Sequence, residues 1–85
     1  MVTTTDLGLA STRKKKRISL EDIAETTKIG VRSLKAIEEG EFQKLPGGVY
    51  STSYIRQYAR AIEFDESQIL RLYYSVMGIN PTVEY

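Results

Sequence analysis

Apolar positions along this chain recur at helical rather than strand spacing. Leu20, Ile23, Ala24 and Thr27 follow i, i+3, i+4, i+7, with Glu21, Asp22 and Glu25 off that face. Ser19 precedes them and Asp22 stands three residues on, a short-armed capping box, so a helix is expected to start at Leu20. A second helix follows closely. Leu34 and Ile37 supply its inner face, Ile29 fills the corner, and Gly40 signals its end. Val31, Arg32, Ser33, Lys35 and Ala36 are then expected to point largely outward. Two short helices joined by a tight turn, with the small Ala24 at their crossing, match helix-turn-helix spacing over residues 20–40. The turn position that commonly takes Gly for its positive φ falls on Thr27 or Lys28, at a small conformational cost.

Two such helices cannot bury their shared face alone, and the flanking pattern supplies what closes it. Thr5 or Asp6 would cap a first helix running to about Lys16, with Leu9 inward and Gly8 weakening its start. Residues 41–48 read as a linker anchored by Phe42 and Leu45, in which Pro46, Gly47 and Gly48 force a turn. From Val49 or Tyr50 a fourth helix is expected to reach about Ile62, burying Ile55, Tyr58, Ala59 and Ile62. Tyr50 and Tyr54 fall partly off that face, an aromatic pair suited to docking because Tyr offers large contact area with a polar tip. Asp65 would cap a last helix, with Gln68 completing a capping box and Ile69, Leu72, Tyr73 and Val76 inward, leaving Leu70, Tyr74 and Met77 off the stripe. Gly78 and Pro81 stop it. The expectation is an all-α, compact five-helix domain over residues 6–78, with tails at 1–5 and 79–85.

Composition narrows the function classes. The 85 residues contain neither Cys nor His, so thiolate and imidazole metal sites and the usual general base are absent from the expected chemistry. No enzyme, metal, cofactor or small-molecule substrate is expected. No apolar run is long enough for a membrane span and the N-terminus does not resemble a signal peptide, which makes a cytoplasmic protein the expectation. The formal net charge of +1 hides a polarised chain: Arg13, Lys14, Lys15, Lys16 and Arg17 hold five of the 12 basic residues. The remainder, with seven bases against 11 acids, carries −4.

That basic run ends just before Ser19, at the start of the motif. On duplex DNA the first helix of such a motif crosses the backbone and the second enters the major groove. Arg13, Lys14, Lys15, Lys16, Arg17 and Lys28 are therefore candidate phosphate contacts. Val31, Arg32, Ser33 and Lys35 are candidate base readers, Arg32 through the bidentate guanine contact. Against this, six acids face four bases between Ile18 and Leu45. The competing reading of Arg32 and Lys35 is ion pairing with Glu38 and Glu39 along a solvated helix.

The stretches SLEDIAETTKIGVRSLKAIEEGEF, LPGGVY and SYIRQYARAIEFD resemble the cytoplasmic helix-turn-helix domain of the bacterial cell-shape proteins of the RodZ family, within the lambda-repressor/Cro-like group. The resemblance covers residues 9–73 and implies a five-helix bundle. It also implies docking on the actin-like protein MreB through an aromatic pair on the fourth helix, here Tyr50 and Tyr54. RodZ-like proteins continue into a membrane span, which is not among these 85 residues, and they mix acids where this chain has its unbroken basic run. The first expectation is accordingly a non-enzymatic regulator that binds double-stranded DNA, as a homodimer if it reads two half-sites. The alternative is a cytoskeletal adaptor docking on MreB.

Overall fold

In the computed structural model, residues 7–79 are described. Five helices follow in order, α1 (Leu9–Lys15), α2 (Leu20–Thr27), α3 (Val31–Glu39), α4 (Gly48–Ala61) and α5 (Glu66–Met77), with a 3₁₀ turn at Phe42–Lys44 between α3 and α4. No strand occurs among the described residues. The expected cap at Thr5 or Asp6, residues 1–5, and the stop at Pro81 lie outside the described residues; α1 instead opens after Gly8.

The corner between α2 and α3 is built as the spacing predicts. The Ser19 hydroxyl accepts from the Asp22 amide at 3.0 Å and the Asp22 carboxylate accepts from the Ser19 amide at 3.4 Å, closing the capping box. Lys28 takes the left-handed conformation at φ 66° and returns its amide to the Ala24 carbonyl at 2.8 Å. Thr27 fixes the exit: its hydroxyl donates to the Ile23 carbonyl at 2.7 Å and accepts from the Ile29 amide at 3.1 Å. Ile29 can then drop into the core beside Ile23, Leu34 and Ile37, all at most 3% exposed.

The other four α-helices end in one device. In each, the residue after the last turn is left-handed, and paired amide bonds run back to the helix from it and from its successor. Gly40 and Gly78 suit that conformation, whereas Arg17 (φ 59°) and Glu63 (φ 58°) adopt it as L-residues, at a cost of about 1–2 kcal/mol each. The Pro46-Gly47-Gly48 turn needs glycine outright, because Gly47 sits at φ 102°, ψ 166°.

Phe42, Ile55, Tyr58, Ala59, Ile62 and Ile69 form the dry centre, at 0–1% exposure. Phe42 meets Tyr73 edge to face, ring centroids 5.5 Å apart, and so ties the 3₁₀ turn to α5. Two expectations are corrected. Ala36 is buried rather than outward, because the 3₁₀ turn folds back over α3. The inner face of α5 is Ile69, Leu70 and Tyr73, with Leu72 half-buried and Val76 exposed; the stripe is rotated toward Leu70. Asp65 caps α5 through the Ser67 amide at 3.0 Å and the Ser67 hydroxyl at 2.7 Å, not through Gln68.

Arg13 is the largest correction. It is 9% exposed, and its guanidinium donates to the Glu38 carboxylate through Nε and Nη2 and to the Ile18 carbonyl through Nη1 at 2.9 Å. Tyr58 donates its hydroxyl to the same carboxylate at 2.7 Å. The Glu38 hydrogen bond raises the pKa of Arg13, and burial, then Glu38, pushes that of Tyr58 up. Arg13 is thus a structural tie from α1 to α3 and α4, and it is withdrawn from the phosphate-facing set.

Removing one member of such a buried pair leaves the other uncompensated. Arg13→Ala should lower unfolding stability by about 3 kcal/mol, read from urea denaturation, while Arg13→Met with Glu38→Gln should recover most of it because Gln still accepts from Tyr58. Lys28→Gly should stabilise by about 0.5–1 kcal/mol through relief of the left-handed turn; an unchanged or lowered midpoint would contradict the strain.

Candidate functional site

The outward face of α3 carries Arg32 and Lys35, both exposed, with Val31 and Ser33 half-buried. Neither cation has a carboxylate within 4 Å among the described residues, since Glu38 is held by Arg13 and Tyr58. The expected pairing of Arg32 and Lys35 with Glu38 and Glu39 is therefore not formed. Instead they line a polar groove together with Ala36, Glu39, Glu41 and Lys44. Lys44 lies 2.8 Å from Glu41, whose hydrogen bond holds its ammonium above the ordinary pKa, while Arg32 pushes the other way. Lys28 is exposed at the turn before α3.

The basic run divides. Arg13 is internal, as above. Lys16 reaches Glu63 at 3.1 Å, just beyond the end of α4. Lys14, Lys15 and Arg17 are exposed, with no carboxylate within 4 Å among the described residues. Through Arg13 and Lys16 the run is fastened at the C-terminal ends of α3 and α4, away from Val31, Arg32 and Ser33 in the first turn of α3. The anchoring residue Glu38 lies six residues beyond Arg32, about 9 Å along the axis of α3.

At the opposite end of α4 stands a different surface. Tyr50 is 63% exposed and Val49, which the periodicity did not single out, 73% exposed in the first turn. Tyr54, one turn on, is half-buried and packs against the core, so the aromatic pair is split between a free ring and an anchored one. From Gly47 to Tyr54 the sequence GGVYSTSY carries no charge. Ser51 at 1% exposure accepts from the Gly47 amide at 2.8 Å and pins this turn to the helix. Further along α4, Arg56 and Arg60 lie 3.4 and 3.7 Å from Glu66 on α5, fixing the helix pair. Val49 could have been found from sequence only by asking which apolar residues fall outside every predicted stripe.

No group of three or more His, Cys, Asp or Glu that could hold a metal occurs among the described residues, and no helix there is long and apolar enough to cross a membrane. The family pattern described as a helix-turn-helix domain matches residues 8–69. Over 52 residues, 61% of this chain and 18% of the relative, the chain is 42% identical to the uncharacterized membrane protein YmfM of Bacillus subtilis (strain 168). Over 56 residues, 66% of this chain and 20% of the relative, it is 34% identical to the cytoskeleton protein RodZ of Streptococcus pneumoniae (strain ATCC BAA-255 / R6). The chain thus spans about a fifth of the length of each of these relatives. No solved structure matches. The five-helix architecture, the capped α2–α3 corner and the match across residues 8–69 agree, and the chain belongs to the helix-turn-helix domain family as a RodZ-like member.

Proposed function

We propose that this domain is a non-enzymatic docking module that binds a protein partner through the first turn of α4, the partner being an actin-like cytoskeletal filament protein of the MreB kind. The observation that carries the reading is the exposure of Val49 and Tyr50, consecutive residues in a stretch whose sequence carries no charge, on a helix whose Ile55, Tyr58 and Ala59 are fully buried. A rigid helix presenting an exposed aromatic and an aliphatic side chain loses little conformational entropy on binding. Similarity to a protein named for the cytoskeleton supports the choice of partner.

Duplex DNA is the second reading, favoured by Arg32 and Lys35 on the outward face of α3, which have no carboxylate within 4 Å among the described residues, with Lys28 at the turn. In that reading Val31, Arg32, Ser33 and Lys35 face base edges, and Lys14, Lys15, Lys16 and Arg17 add attraction from the side. A regulatory role and pairing as a homodimer would follow from it.

The two separate on mutation. Tyr50→Ala should abolish co-sedimentation with MreB filaments, a loss of about 30-fold or more in affinity for a hot-spot aromatic, with the urea midpoint unchanged because the ring is exposed. Tyr54→Ala should lower both affinity and stability, since that ring is half-buried. If Tyr50→Ala leaves co-sedimentation intact, the docking reading fails. In anisotropy titrations on a duplex, Arg32→Ala should cost about 1–3 kcal/mol and relax base preference if the second reading holds. Under the docking reading the wild-type chain shows no base preference to lose.

A further inference from the structure

The docking surface and the α3 groove leave the basic turn unexplained. Lys14, Lys15 and Arg17 project within four residues, with no carboxylate within 4 Å among the described residues. Arg17 occupies the left-handed position that ends α1, where its amide bonds to the Lys14 carbonyl at 3.0 Å and the next amide, of Ile18, bonds to the Arg13 carbonyl at 3.2 Å. Glycine would close the same turn without strain, so a cation stands where the backbone disfavours any side chain. Beneath the turn, Arg13 points inward to Glu38, and Lys16 sideways to Glu63. The buried Arg13 contact anchors the turn, and the other three cations are left exposed.

Its place in the fold decides what it fits. The turn is fastened beside Glu63, after the last residue of α4, whereas Tyr50 lies in the first turn of that helix. The 14 residues of α4 span about 20 Å. Tyr50 and the basic turn therefore lie toward opposite ends of α4. The turn is tied to α3 at Glu38, near the C-terminal end of that helix, and the pocket next to it is lined by Ile18, Asp22, Ile23, Thr26 and Ala61, with no cation among them. Three exposed cations beside a pocket that carries no cation suit a flat, polyvalent anionic surface better than a duplex.

We propose that Lys14, Lys15 and Arg17 form a second interaction surface that rests on the anionic phosphate headgroups of a lipid bilayer, at the end of α4 opposite Tyr50. Each cation near such a surface changes partitioning by about fivefold, and the three together by roughly a hundredfold. Glu21 and Asp22 open the following helix, so the attraction is short-ranged and is screened within a Debye length. The proposal does not depend on the Tyr50 reading, because no residue is shared.

Vesicle flotation tests it. The 85-residue chain should float with vesicles of phosphatidylcholine and phosphatidylglycerol at low salt, remain behind with pure phosphatidylcholine, and be released as salt rises. Lys14→Gln, Lys15→Gln and Arg17→Gln combined should reduce partitioning by roughly a hundredfold, with the helical circular dichroism signal preserved, while Tyr50→Ala should float like the wild type. Arg17→Gly supplies a readout that a purely structural turn would not give: its Tm should rise by about 4 °C while vesicle partitioning falls about fivefold. Binding to a mixed-sequence duplex at the same salt, without flotation, would overturn the proposal in favour of nucleic acid. Flotation unaffected by the triple substitution would overturn it as well.

Discussion

Glu38 is the point at which this small fold is held together. Its carboxylate receives the guanidinium of Arg13 from α1 and the hydroxyl of Tyr58 from α4, so one side chain on α3 joins three helices. α1 has only seven residues, too few for independent stability, and among its buried residues only Leu9 is apolar. Its attachment therefore rests heavily on a polar contact. Burying an ion pair is costly unless its remaining hydrogen-bonding groups are satisfied, and here the Ile18 carbonyl and the Tyr58 hydroxyl satisfy them. The same contact sets the direction of the basic run. With Arg13 turned in, Lys14, Lys15 and Arg17 turn out.

The helix-turn-helix corner is a scaffold before it is a reader. Its capping box, the Thr27 hydroxyl bridge and the left-handed Lys28 are local devices that place Ile29 in the core and set the angle between α2 and α3. None of them requires a nucleic acid. The 3₁₀ turn then covers Ala36, and its Phe42 engages Tyr73, so the motif's second helix is buried on more of its circumference than an isolated hairpin would allow. What remains outside on α3 is a narrow mixed-charge strip, Arg32, Lys35 and Glu39.

Much of this was legible in the sequence. Helical periodicity located the four longer helices within a residue or two, and Ser19, Gly40, Asp65 and Gly78 marked their ends, because caps and apolar stripes are local properties of the chain. Arg13 was not legible. Five consecutive bases look alike in one dimension, and only the approach of Glu38, 25 residues on, singles one out as internal. Ala36 failed for a similar reason, since its cover comes from a turn that periodicity does not describe. On α5 the apolar residues Leu70, Leu72 and Val76 allow two registers of the stripe, and packing chose the one that buries Leu70. Tyr50 and Tyr54 looked equivalent at their i, i+4 spacing until the fold set one ring against the core and left the other free.

The position of α4 has a mechanical consequence. It runs through the middle of the domain, with its interior residues Ile55, Tyr58 and Ala59 fully enclosed, its first turn bearing the free aromatic and its far end fastened to the basic turn by way of Tyr58 and Glu63. A displacement along α4 is carried from Tyr58 through Glu38 to Arg13, and so from α4 to α1 by way of side chains that all lie on helices. In this arrangement α1, too short to stand alone, keeps its direction from the central helix of the domain.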